Sequence, residues 1–182
     1  MPTKTISFDI EKGLEAVLFI ADKLGEVGLE ADAHAIAKLL FWADKWHLEH
    51  FGSQVTGDDY IAMPEGPVPS NIYEIIKSVR GDEYFHYPDD TLSVFQQAFK
   101  VESKYVVRAK RKPNLAKLSE SEIQALSESV ATYGGLSFEE RSKASHGPAW
   151  KSAKKPNGRI SLEAIIDELP NRDEVLSYIR SR

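Results

Sequence analysis

The segment "DKWHLEH" sets Asp44, His47 and His50 at three-residue steps, so on a helix their side chains fall toward one face and carry the donor types that hold a divalent metal. The set is incomplete. Two histidines three apart lack the glutamate of a zincin helix, and zinc would need a further ligand, with His34 and His146 as candidates. The competing reading pairs Asp44 and His47 with each other or with backbone at the helix end, and places His50 in the favourable field of the helix C-terminus. Asp58 and Asp59 have the groups for acid–base work, but adjacent residues in an extended segment point apart, and turn and capping roles after Gly57 explain them more simply. His146, beside "GPAW", has the type of a general base. The nearby Ser142 and Ser145 sit on the same short helix without the elbow that exposes a nucleophile. "YGG" at Tyr133 to Gly135 ends a helix instead of opening one after a strand, so it builds no phosphate cradle.

Composition narrows the chemistry further. The 182 residues contain no cysteine, which removes disulfides, zinc–thiolate sites, iron–sulfur clusters and thiol nucleophiles. With 23 Lys and Arg against 28 Asp and Glu the net charge is -5, which disfavours a surface shaped as a whole for nucleic acid or anionic lipid. The run "RAKRKP" supplies Arg108, Lys110, Arg111 and Lys112, and on a strand alternate residues would direct some of these charges at phosphates. The alternative is a solvated edge strand guarded against aggregation by Lys and Pro. A second basic cluster, Lys151, Lys154, Lys155 and Arg159, lacks the interleaved aromatics of a base-stacking platform. No apolar run approaches the roughly 20 residues that span a bilayer, and the first residues lack the pattern of a secretory leader, so the expected location is the cytoplasm, with no membrane partner.

Helices must position most of these groups. Leu14, Val17, Leu18, Ala21 and Leu24 recur at helical spacing between Ile10 and Val27, before Gly25 and Gly28. A second helix is expected from Ala31 to His50, stopped by Gly52, and its density of aromatics implies burial on more than one face. Ile72, Ile75, Ile76 and Val79 predict a third, begun by Ser70 or Asn71 and closed by Gly81. From Leu92 to Lys112 β-branched and aromatic residues predict one or two antiparallel strands, with Tyr60 to Met63 as a third. Ser119 with Glu122 and Ser137 with Glu140 fit the capping box, so a helix is expected to start at each. The tail reads as Ser161 to Leu169, a break at Pro170, and a last helix from Arg172 to Ile179 capped by Asn171. The expected fold is a helix-dominated α+β domain with a small antiparallel β-sheet, one domain over 1–182, its core at about 10–169 and a helical tail at 170–182.

Between these elements lies "GDDYIAMPEGPVPSNIYE", three prolines and two glycines in one run from Gly57 to Glu74. Pro64, Pro67 and Pro69 restrict the backbone, so a surface built here would lose little entropy on docking. Taken with the preceding helix, Leu40, Trp42, Ala43, Asp44, His47, Leu48, Phe51 and Gly52, then Val55, Thr56, Gly57, Asp58, Tyr60 and Ala62, then Gly66, Pro67, Val68 and Pro69 follow an order that resembles the SocA-like Panacea domain family, also seen in phage-associated proteins. Trp42 stands where that pattern has Phe or Tyr, and His146 with Trp150 matches a later histidine before a tryptophan. The resemblance implies an antitoxin that has no enzymatic activity or cofactor and neutralises a protein toxin encoded by the adjacent gene by binding it. It also implies, by similarity to SocA, an adaptor that delivers the toxin to the ClpXP protease. Contact area would then come from Tyr60, Met63 and Tyr73, while Asp58, Asp59, Glu65 and Glu74 would face a basic toxin. The alternatives are an autoregulator that binds operator DNA through Arg108, Lys110, Arg111 and Lys112, and a metal-dependent enzyme centred on Asp44, His47 and His146.

Overall fold

The apolar spacing of the first fifty residues becomes two packed helices in the computed structural model, which describes residues 7–82, 87–153 and 155–181. Helix α1 (Ile10–Glu26) starts at Asp9, whose side chain accepts from the Lys12 amide, and buries Leu14, Val17, Leu18 and Leu24. Helix α2 (Ala33–Phe51) is capped by Asp32 through the Ala35 amide at 2.7 Å and ends where Gly52 takes a left-handed φ of 68°. Its interior positions, Ile36, Leu39, Leu40 and Ala43, have no more than 1% exposure, and Phe41 and Trp42 are buried as well. A helix with so little polar face has to lie at the centre, and the other elements surround it.

The proline-rich run folds into a β-hairpin. Strand β1 (Tyr60–Met63) pairs antiparallel with β2 (Gly66–Pro69), which passes directly into helix α3 (Ser70–Arg80). Pro64 presets the first turn position and Gly66, at φ 108°, closes it. The Ser70 amide donates to the Asp59 carbonyl at 2.8 Å, which makes 59 and 70 a hydrogen-bonded pair. By alternation Pro67 and Pro69 occupy sites whose amides would point to the outer edge, so neither proline costs the ladder a bond. On the other side of β1, β5 (Arg159–Ile160) completes a sheet of order β2-β1-β5.

Helix α4 (Asp89–Ala98) leads into a separate hairpin, β3 (Phe99–Glu102) with β4 (Val106–Ala109). The strands expected between Leu92 and Lys112 are thus found only from Phe99 onward. Leu92 to Ala98 is helical because Asp89 and Asp90 fill a first turn after Pro88, and Phe95 and Ala98 are buried three residues apart. A 3₁₀ turn at Leu115–Lys117 precedes α5 (Glu120–Tyr133), which lies along α2, and α6 (Phe138–Ser145) follows. Both capping boxes form as the sequence predicts, Ser119 with Glu122 and Ser137 with Glu140. The remaining helices are α7 (Pro148–Lys151), α8 (Leu162–Ile166) and α9 (Arg172–Arg180). Helix α8 stops three residues short of the expected Leu169. Asn171 makes no side-chain cap; its amide donates to the Glu49 carbonyl at 2.8 Å and ties α9 to α2.

The fold is a helix-dominated α+β arrangement with small antiparallel sheets. Among the described residues no helix is long and apolar enough to cross a membrane.

The start of α3 shows what a local reading overlooks. Neither Ser70 nor Asn71 caps it; Pro69 holds the cap position, and the carboxylate of Asp58 reaches across to accept from the amides of Asn71 at 3.0 Å and Ile72 at 2.9 Å. The same group accepts from the Asp59 amide at 2.7 Å and from Asn71 Nδ2 at 2.9 Å, and Asp58 is 2% exposed. Asp58→Ala strands these donors in the interior and is expected to cost about 2–4 kcal/mol in urea denaturation. Asp58→Asn, which keeps one acceptor oxygen, is expected to lose less; a loss below about 0.5 kcal/mol for Asp58→Ala would show that the carboxylate is not what holds α3.

Candidate functional site

Asp44 sits on α2 at 1% exposure and fastens the segment after the helix back onto it. One oxygen accepts from the Val55 amide at 2.7 Å; the other accepts from the Tyr60 hydroxyl at 2.8 Å and from Gln54 Nε2 at 3.3 Å. Gln54 also donates to the Asp58 carbonyl at 3.0 Å, which joins the two aspartates through one side chain. Burial pushes the Asp44 carboxyl up to about 7; the donors from Tyr60 and Val55 oppose that shift and the nearby Asp58 charge adds to it. Burial, then the facing Asp44, holds the Tyr60 hydroxyl well above its ordinary value of 10.0.

His47 and His50 go to different partners. His47 Nδ1 donates to the Ser53 carbonyl at 2.6 Å, which leaves Nε2 to accept from the Ser121 hydroxyl at 3.0 Å. His50 donates to the Trp46 carbonyl at 2.8 Å and stacks on the Trp46 ring at 4.0 Å between centroids. His146 stacks on Trp150 at 4.0 Å, and Trp42 on Tyr133 at the same separation. Among the described residues no three His, Asp or Glu side chains gather as metal ligands, and Asp44, His47 and His146 do not converge.

The basic run is turned onto the chain's own acids. Arg108 pairs with Glu30 at 2.6 Å and Glu102 at 3.1 Å, Arg111 grips both oxygens of Glu15, Lys112 pairs with Asp22, and Lys110 donates to the Gln96 carbonyl at 2.6 Å. Asp59 pairs with Arg159. Lys151 and Lys155 are exposed, while Lys154 lies outside the described residues.

The hairpin tip, in contrast, overhangs open space. A groove of about 650 Å³ runs between the tip at Met63, Pro64 and Glu65, the first turns of α2 at Ala33, His34, Ala37 and Lys38, Tyr73 of α3, and the β3–β4 turn at Ser103 and Tyr105; Phe138 of α6 closes one end. Tyr105 and Phe138 are 56% and 48% exposed, and Phe138 stacks on His34 at 4.0 Å. The tip is pinned from below: Trp150 Nε1 donates to the Met63 carbonyl, the Ser142 hydroxyl to Glu65, and the Lys38 ammonium to the Pro67 carbonyl, each at 2.9 Å. Gly66 lies so close to this support that an added Cβ would stand 2.3 Å from Ser145 Oγ and 2.8 Å from Lys38 Cε. Burial draws Lys38 down to about 8 and His34 down to about 4, with the neighbouring positive charges of Lys38 and Arg141 adding to the latter. Neither ring nitrogen of His34 completes a well-formed hydrogen bond.

Of the residues singled out from sequence, Trp42, Asp44, His47, Asp58, Tyr60, Gly66, Pro67 and Pro69 are buried, and His146 and Trp150 stack beneath the tip. Met63, Glu65 and Tyr73 come together on the groove. The sequence reading missed its floor and far wall, Ala33, Ala37, Lys38, Tyr105 and Phe138. One signal was available at Lys38, a lysine set among Ile36, Ala37, Leu39 and Leu40 in a helix with little polar face.

Fold and site together define a small α+β protein in which a proline-braced hairpin is locked to a buried central helix and roofs one side of an apolar groove. The chain belongs to the antitoxin SocA-like, Panacea domain family, whose family model matches residues 36–151. That span runs from the first turn of α2 to the end of α7 and contains the Asp44 lock, the hairpin and the His146–Trp150 stack. Comparison with curated proteins and with solved structures returns no match.

The raised Asp44 carboxyl fixes the sign of a pH dependence. Between the ordinary value of 3.8 and about 7 the folded chain keeps a proton that the unfolded chain has released, so this group's contribution is complete below 3.8 and is lost as pH rises through about 7. The stability difference between the native chain and Asp44→Asn should therefore shift against the native chain by about 2–3 kcal/mol from about pH 5 to about pH 8. A difference that stays flat in denaturant titrations across that range would mean that Asp44 remains ionised.

Proposed function

We propose that this chain neutralises a cognate protein toxin, encoded by the adjacent gene, by binding it directly through the face around the hairpin tip. The observation that carries this reading is the family match, whose description is that of an antitoxin, on a chain that holds a proline-braced hairpin over an apolar groove. Neutralisation by occlusion needs a surface ordered before the partner arrives, so that little of the interaction is spent on ordering loops. The tip meets that need, with prolines in β2 and three hydrogen bonds from the support below. Exposed Tyr105 and Phe138 supply the large, rigid side chains that concentrate binding energy at interfaces. The interior residues of the family pattern then act indirectly, by holding this face in shape.

The neighbouring reading frame provides the test. Expressed alone it should arrest growth; co-expression of this chain should restore growth, and the two proteins should purify as a complex of fixed stoichiometry. A harmless neighbour, or rescue without a complex, overturns the proposal. Toxin half-life in cells with and without ClpXP separates occlusion, which leaves it unchanged or longer, from delivery, which shortens it only where the protease is present.

A further inference from the structure

We infer that the groove receives a helical segment of its partner that presents apolar side chains one turn apart with a Lys or Arg beside them. The inference rests on the reading of this face as the docking surface and specifies the chemistry of what docks.

Three observations set that chemistry. First, the groove offers no reachable hydrogen-bond donor from its floor: the Lys38 ammonium is fully buried and donates to the Pro67 carbonyl, and both His34 ring nitrogens are buried. An anion placed there would be desolvated without compensation, whereas apolar side chains against Ala33, Ala37, Met63 and Val68 would gain burial. A volume of about 650 Å³ is more than one side chain fills, which is why two are assigned.

Second, strand addition is blocked. The outer edge of β2 carries Pro67 and Pro69, which have no amide to donate, and the Pro67 carbonyl is already occupied by Lys38. The β4 edge of the second hairpin, the one beside the groove, is closed as well, because the chain from Ala31 to Ala33 bonds along it at Tyr105 and Val107. A partner must therefore insert side chains from a helix or a turn, and side chains one turn apart on a helix match a groove that follows the first turns of α2.

Third, the lip is acidic. Glu30, Asp32 and Glu65 line the mouth, and the cation that lines the groove is the buried Lys38. Glu30 and Asp32 have Arg108 and Arg141 as ion partners, but Glu65 is exposed, is held through one oxygen by the Ser142 hydroxyl, and has no ion pair among the described residues. A cation beside the inserted apolar residues would meet this carboxylate, and an acidic partner would be repelled.

The test uses the full chain and a designed helical peptide with two leucines one turn apart flanked by lysines. Saturable binding is expected, with amide shift changes confined to the residues around Ala33, Ala37, Met63, Val68, Tyr105 and Phe138. Replacing the leucines with serine, or Phe138→Ser in the protein, should abolish it; replacing the lysines with glutamate, or Glu65→Lys in the protein, should weaken it about tenfold. Thermal melts of both variants, at exposed positions, establish that they are folded. Equal binding of the lysine and glutamate peptides, shift changes elsewhere on the chain, or indifference to Phe138→Ser overturns the inference. Because this arm needs no toxin, its failure alongside successful growth rescue and complex formation would leave neutralisation by binding standing and overturn only the chemistry assigned to the groove. Success here with a harmless neighbouring gene would do the reverse.

Discussion

A carboxylate in the middle of the apolar interior organises the structure around it. Asp44 is surrounded by residues of the core, and a carboxylate there is tolerated only if its lone pairs are met. They are met by three groups from one stretch of chain, the Val55 amide, the Tyr60 hydroxyl and the Gln54 amide. That requirement has a geometric result: the residues after Gly52 can pack against α2 in few ways that satisfy it, and the one adopted sets β1 in register beside the helix. Gln54 passes the constraint to Asp58, and Asp58 passes it to the first amides of α3. A polar chain of this kind adds little net stability, but it selects one arrangement of hairpin and helices over others of similar apolar burial.

Downstream of that lock, the hairpin is shaped by what its prolines remove. In a central strand two prolines would break the ladder; at the outer edge of β2 they sit where no ladder bond is made. They stiffen the strand, leave an edge that cannot recruit another strand, and free the Pro67 carbonyl for the buried Lys38. The lysine in turn has no carboxylate within ion-pair distance among the described residues, and burial lowers its affinity for a proton. Gly66 lets the hairpin approach close enough for this contact, since a side chain there would occupy the space of Ser145 and Lys38. The groove is the space left between a tip drawn down on one side and the β3–β4 turn on the other.

Features written in short stretches of sequence were legible, and those made by distant stretches were not. Both capping boxes, the left-handed stops at Gly52 and Gly81, and the faces of α1 and α2 each depend on residues within about one or two helical turns, and each was read from spacing. Local spacing points to Ser70 or Asn71 as the cap of α3, whereas the acceptor is Asp58, twelve and thirteen residues from them in sequence. Helix α4 was missed because the β-branched character of Phe99 to Val107 was extended back over Leu92 to Ala98, where the buried spacing is helical. Sequence singles out Met63, Glu65 and Tyr73 but not the groove they share. Its walls come from the α1–α2 connection, the hairpin, α3, the β3–β4 turn and α6, and only the fold brings Phe138 onto His34.

This separation between interior and lip bears on how such a scaffold relates to its partners. Most residues of the family pattern, among them Leu40, Ala43, Asp44, Leu48, Val55, Thr56, Asp58 and Tyr60, are 2% exposed or less and hold the arrangement from the interior, whereas Phe51 of the same pattern is 45% exposed. The side chains with reach at the groove mouth, Glu30, Glu65, Tyr105 and Phe138, lie outside that pattern. All four belong to connections or to the first position of a helix, where substitution disturbs little buried backbone. In the proposed reading the locked interior and the contact chemistry are thus physically separable: the Asp44 and Asp58 networks hold the hairpin at one angle over α2, and a change of charge or size at the lip alters what the groove accepts without asking the core to repack.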